Sequence, residues 1–181
     1  MGTIKTTNIE SISGSGTVTM GTSGETFTVP SGVTATGFNN PAFAAYLSSS
    51  QNLLDNTATT IICDIEVFDT NTAYDTSNGK FTPQVSGKYF VYSNIHFSGV
   101  ADGTAIEMEF LKNNTRSSLT NLVRRKSKDG DQSMSTSFVI ELNGSTDYLT
   151  LVGKHNSGST EVAEGSTSFE ATYFGAYRIG T

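Results

Sequence analysis

An antiparallel all-β sandwich is the fold class this sequence predicts, and three observations carry the prediction. Several runs alternate polar and apolar residues with a period of two, the signature of half-buried strands. Many of the gaps between those runs hold Asn-Gly or Asp-Gly, the pairs that favour tight turns. The composition fits the same picture, because Gly (18), Thr and Ser are abundant, only 15% of residues are charged and Trp is absent. Thr and aromatics suit pleated surfaces and Gly supplies the positive φ of turns, so no long helix is expected. The 181 residues suffice for one ordinary domain plus an arm.

The arm comes first. Residues 1–40 are rich in Gly, Ser and Thr, and "ISGSGTVTMGTSGETFTVPSGVTATGF" sets single apolar residues (Val18, Met20, Phe27, Val29, Val33) between turn signals. Ordering backbone costs about 1 to 2 kcal/mol per residue. So few apolar groups do not offset that cost, and this β-rich arm is expected to need a neighbour, either the main domain or another chain.

Residues 41–181 are expected to form the sandwich, with strands near 42–47, 60–68, 80–83, 87–98, 104–111, 116–124, 133–142, 147–153 and 168–179. In "IICDIEVF" Ile61, Cys63, Ile65 and Val67 share a parity, which makes Cys63 a buried small hydrophobe. The stretch "YDTSNGKFTPQVSGKYF" starts at Tyr74 and is built around a turn that delivers Phe81 to the core; Pro83 and Gly87 punctuate it before the next long strand. There Tyr89, Val91, Ile95 and Phe97 face the core, while Phe90 and Tyr92 occupy the parity where a solvated strand carries polar groups. Something must cover them: a trimer axis on one reading, a second sheet or the arm on the other. "AIEMEFL" sets Ile106, Met108 and Phe110 against Glu107 and Glu109, and "MSTSFVIEL" turns Met134, Phe138, Ile140 and Leu142 inward. Between these two runs, "VRRKSKDGD" reads as a solvated hairpin tip. In the last run Phe169, Ala171, Tyr173, Gly175, Tyr177 and Ile179 form the inward set. Phe174 and Ala176 break the polar face, which places them mid-sheet or at a contact with another chain.

Charge and chemistry narrow the function. A net charge of -6 disfavours a nucleic-acid partner, because phosphate affinity comes from clustered Lys and Arg. "MGTIKTTNIESISGSG" has no apolar signal core, no run is long enough to span a bilayer, and Met1, Gly2 and Thr6 match the loose myristoylation pattern at the level of chance. A single Cys forms no intrachain disulfide. His96 and His155 lack a recognisable nucleophile turn, and Asp64 and Glu66 read as solvated charges rather than an acid/base pair. No enzyme, cofactor or metal site is expected.

"YDTSNGKFTPQVSGKYF", "MEFLKNN", "SFVIELNGSTDYLTLVG" and "TSFEATYFGAYRI", in that order, resemble the C1q-like domain of the C1q and tumour necrosis factor superfamily over about residues 41–180. The resemblance implies a jelly roll of about ten strands that assembles as a homotrimer. It departs from the family in having Ala176 where a second aromatic is usual, no collagen-like repeats and no export signal. Parity, set beside that expected trimer, makes Phe90, Tyr92 and Phe174 the candidate trimer contacts, and Tyr74, Phe81, Tyr89, Val91, Phe138, Phe169, Tyr173, Gly175 and Tyr177 the candidate core. Some C1q-like trimers bind calcium, and Asp69, Asn71 and Asp75 offer oxygens. The EF-hand pattern fails, with Ala73 at a ligand position and Tyr74 where Gly is required.

The arm is similar to the short β-rich linkers of bacteriophage tail-fibre and other virion appendage proteins. Together the two resemblances imply a homotrimeric phage virion protein assembled in the host cytoplasm. Its arm would join other virion proteins at the tail or capsid, and its head would contact a host glycan or protein. A bacterial surface or matrix adhesin is the alternative. Loop tips at 113–115, 127–132 and 155–161 are the accessible candidates for contact.

Overall fold

The computed structural model describes residues 40–116 and 122–180. Expectations for the arm therefore lie outside the described residues, as does most of the strand expected near 116–124.

Among the described residues the chain forms two antiparallel sheets and no helix. The strands are β1 (Ala42–Tyr46), β2 (Gln51–Leu53), β3 (Thr59–Thr60), β4 (Ile65–Asp69), β5 (Tyr74–Asp75), β6 (Lys80–Phe81) and β7 (Gly87–Val100). They continue with β8 (Ala105–Lys112), β9 (Leu122–Lys126), β10 (Gly130–Leu142), β11 (Leu149–His155), β12 (Glu161–Ala163) and β13 (Tyr173–Gly180). The first sheet runs β2-β12-β7-β13-β1-β4, with β10 also paired to β7; the second runs β5-β6-β11-β8-β9, with β3 on β11. β7 organises the first sheet because it is long: β10 pairs with it from Gly87 to Val100, while β13 and then β12 share the opposite edge.

Between the sheets lies an aromatic core. Phe43 stacks on Tyr74 (4.7 Å) and Phe81 (4.5 Å) and meets Phe174 edge-on at 4.8 Å; Phe174 in turn lies 5.0 Å from Phe110. Rings in offset and edge-on contact gain about 0.5–1.5 kcal/mol per pair beyond their area. Tyr74, Phe81, Tyr89 and Val91 are buried as expected, and Phe138 packs half-buried against the cluster. The turn of "YDTSNGKF" forms as read: Asp75 accepts from Ser77 N (2.9 Å) and Asn78 Nδ2 (2.5 Å), and Tyr74 pairs with Phe81. Gly79 holds φ +71 there with no room for a Cβ, which would stand 2.7 Å from the Ile61 carbonyl.

Several expectations are corrected. The last strand starts at Tyr173 and its parity is inverted: Phe174 and Ala176 are buried in the core, whereas Tyr177 and Ile179 are exposed. Register decides this, because Tyr177 lies opposite Phe90 and Gly175 opposite Tyr92, and residues directly opposite share a face. Phe174 is thus a core residue and not a trimer contact. Phe169 precedes the strand and is 56% exposed, so it is not core.

The run 60–68 is two strands in different sheets. The chain crosses the sandwich at 61–64, burying Ile61 and Cys63, and then emerges in β4 with Ile65 and Val67 exposed. The Asp-Gly at 129–130 is likewise a crossover and not a hairpin tip, since β9 pairs with β8 in one sheet and β10 with β7 in the other. Ser127, expected at an accessible tip, is buried and donates to the Ala101 carbonyl. Glu107 and Glu109 are buried rather than solvated, because Arg124 (3.0 Å) and Arg116 (2.6 and 2.7 Å) lie over them as counter-charges.

Candidate functional site

The second sheet covers one face of the first sheet and leaves the other face as the candidate site. Along β7 the inward set Tyr89, Val91, Ser93, Ile95 and Phe97 is essentially inaccessible. Phe90, Tyr92, Asn94, His96 and Ser98 fall on the opposite parity. The question of what covers Phe90 is therefore answered in part: it is not the second sheet.

Around Phe90 and Tyr92 the register assembles an aromatic patch. Their rings lie 6.3 Å apart, Phe90 is 5.3 Å from Tyr177, and Tyr92 is 6.2 Å from Tyr173. Tyr177 is 44% exposed and Tyr173 half-buried, so both belong to this face and not to the core. Val139 sits opposite Phe90 on β10 and is 49% exposed, and the edge strand β4 adds exposed Ile65, Val67 and Phe68. Beside Tyr92 a hollow of about 230 Å³ opens between Ala44, Val67, Glu170 and Tyr173. Contiguous exposed apolar surface of this kind marks interaction sites in soluble proteins.

Gly175 sits under this patch. It is buried, as expected, but beneath the Tyr92 ring on the outer face and not in the core. A Cβ there would stand 2.8 Å from Tyr92 Cε1 and nearer still to Cζ and Oη. An alanine in a strand ordinarily gains about 0.5–1 kcal/mol over glycine. Here Gly175→Ala is expected to cost about 1–3 kcal/mol through overpacking. In a Tyr92→Ala background the same change should become neutral or stabilising, a coupling that urea denaturation of the four proteins measures.

Further along β7 the face turns polar. The Asn94 amide donates to the Ala171 carbonyl and its Oδ1 accepts from Ser135 Oγ (2.7 Å). His96 Nδ1 lies 2.7 Å from Ser133 Oγ, and its Nε2 lies 3.1 Å from Glu164 and 3.9 Å from Asp131. The sequence reading missed this cluster.

The other titratable groups are tied into structure. Burial pushes the Cys63 thiol up to about 12, with the Tyr74 hydroxyl pulling the other way. The thiol is therefore protonated and faces the core, as a buried small hydrophobe should, whereas His96 lies on the opposite face of the first sheet. Asp64 would be raised by burial, but bonds from Ser48 N (2.7 Å) and Ser48 Oγ (2.5 Å) outweigh that and hold its carboxyl low. Its partner is Ser48, not Glu66. Asp69 spends its oxygens on the N–H groups of Asn71, Ala73 and Tyr74, and Asp75 caps its own turn. Their lone pairs serve backbone geometry. His155 is buried at the end of β11, with Nε2 2.9 Å from the Leu53 carbonyl and Nδ1 bonded to Ser157, and is no accessible loop residue.

A family model for the C1q domain matches residues 42–174. Among solved structures, the globular domain of zebrafish complement 1qA superposes with a TM-score of 0.52 at 14% identity, covering 77% of this chain and 97% of that one. A crystal structure of murine APRIL at pH 5.0 gives 0.56 at 12% identity, covering 78% and 100% respectively. At these identities the likeness is one of fold. No curated protein matches the chain in sequence.

Proposed function

The chain belongs to the C1q domain family, and on that premise we propose that it assembles as a homotrimer through the outer face of its first sheet, forming the head of a bacteriophage virion appendage. The observation that carries the reading is the aromatic patch of Phe90, Tyr92, Tyr173 and Tyr177, set on the sheet face that the second sheet does not cover. Aromatics are enriched in the buried centres of interfaces, and charged residues are depleted there. A second copy of this surface is its natural cover. The Thr, Ser and Gly-rich composition of residues 1–40 supports the attachment role of the arm.

The trimer acts without chemistry. Three identical heads on one rigid assembly convert weak contacts with a host glycan or protein into avid ones by raising effective concentration. The exposed loops 113–115, 128–131 and 156–161 are the contact candidates that stay accessible. Mass spectrometry of purified phage particles tests the location: the protein is expected among the structural components. Its absence there, with recovery instead from a bacterial surface fraction, overturns the virion reading in favour of an adhesin.

A further inference from the structure

We propose that His96, Asp131 and Glu164 form a binding site for one divalent transition-metal ion per chain, with zinc the reference ion. The three residues come from β7, from β10 and from the turn after β12, and one ligand atom from each lies within 4.8 Å of the others. Zinc bonds to nitrogen and oxygen of about 2.0–2.2 Å place tetrahedral donors about 3.3 Å apart. The observed separations of 3.1 Å (His96 to Glu164) and 3.9 Å (His96 to Asp131) bracket that value.

The surrounding bonds aim the donors. Ser133 Oγ, 2.7 Å from His96 Nδ1, engages that nitrogen and leaves Nε2 pointing at the two carboxylates. A partner on the far ring nitrogen is the usual means of fixing the tautomer of a ligating histidine. Asp131 commits Oδ1 to Gly99 N (2.9 Å) and Ser98 Oγ (3.2 Å), and these bonds hold its carboxyl low; Oδ2 is the oxygen that faces His96. Glu164 is placed by its own N–H, which donates to the His96 carbonyl at 2.8 Å, and the His96 N–H donates to Thr172 Oγ1. In the tautomer that carries its proton on Nδ1 and donates it to Ser133 Oγ, a nitrogen lone pair and two carboxylate oxygens converge. Acceptors so arranged repel one another unless a cation joins them.

One imidazole with two carboxylates suits zinc, cobalt, nickel or manganese; calcium takes six to eight oxygens, which these side chains do not supply. Three protein donors leave a position open for water.

The test is titration of the full chain with zinc chloride at pH 7.5, followed by calorimetry and thermal melting, with calcium and magnesium chloride alongside. One zinc per chain should bind and raise Tm by about 5 °C at a hundredfold excess over Kd, and calcium and magnesium should not. His96→Ala should abolish binding, Asp131→Asn and Glu164→Gln should each weaken it, and Ser133→Ala should weaken it about 10- to 100-fold as an outer partner. Cobalt should give the visible spectrum of a low-coordinate site, which His96→Ala removes. Absence of zinc binding overturns the proposal, as does zinc binding that survives both His96→Ala and Asp131→Asn. Asp131 is exposed and its substitution leaves the core intact, so that variant keeps the test valid if His96→Ala folds poorly.

Discussion

Replacing Phe90 and Tyr92 together by Ser is expected to turn a trimeric protein into a folded monomer. Each ring is partly exposed in its own chain, which leaves at most about 80 Å² of the 150–250 Å² typical of such side chains for a partner to cover. At about 25 cal/mol per Å² this is at most about 2 kcal/mol per ring, or about 12 kcal/mol as a ceiling over the six rings of a trimer. Association costs the same entropy with or without them, so the loss falls directly on the assembly constant. The fold should survive, because Tyr89 and Val91 keep the core side of β7 and Ser is compatible with a solvated strand face. Sedimentation velocity reads the outcome: wild type at the mass of three 19.2 kDa chains, the variant at one, with an unchanged far-ultraviolet spectrum. A wild type that is monomeric at micromolar concentration, or a variant that remains trimeric, overturns the proposed interface.

What the sequence made legible, and what it hid, follows from where polarity was one-sided. In β10 the polar Ser135, Ser137 and Glu141 alternate with Met134, Phe138, Ile140 and Leu142, and the inward set is read correctly because the other parity is polar except at Val139. In β7 the inward set Tyr89, Val91, Ile95 and Phe97 is likewise read correctly, and Phe90 and Tyr92 lie on the opposite face, which the second sheet leaves open. β13 could not, because Tyr173, Phe174, Gly175, Ala176 and Tyr177 are apolar or small on both parities. Only the pairing of Gly175 with Tyr92 and of Tyr177 with Phe90 chooses between them.

In β8 alternation was present but misled. Glu107 and Glu109 point away from the core as expected, yet Arg124 and Arg116 cover them, and a carboxylate beneath an arginine leaves the same sequence trace as a carboxylate in water. The Asp-Gly at 129–130 marks a turn and carries no information on which sheet each flanking strand joins. His96, Asp131 and Glu164 were invisible for a further reason: they meet only because β7 borders both β10 and β12, and no spacing motif encodes that adjacency.

Because the parity of β13 was the least legible feature, its energetic test is the sharpest. Phe174→Ala removes a fully buried ring that contacts Phe43 at 4.8 Å, Phe110 at 5.0 Å and Tyr74 at 5.7 Å, all within one protomer. Such truncations cost about 3–5 kcal/mol in transfer and cavity terms, which for a chain of this length lowers Tm by about 10 °C. Tyr177→Ala, three residues on and 44% exposed, should change the stability of the protomer by no more than about 1 kcal/mol. The two effects separate cleanly when both changes are made in the Phe90→Ser, Tyr92→Ser background, where assembly no longer contributes and urea midpoints report the single chain. In the trimeric background Tyr177→Ala should instead weaken assembly, because its ring lies 5.3 Å from Phe90 within the patch. A protomer that tolerates Phe174→Ala better than Tyr177→Ala would mean that β13 presents its other face to the core. The register of the whole β1-β13-β7 ladder would then have to shift by one residue, since a slip of one is the smallest move that exchanges the faces of a strand.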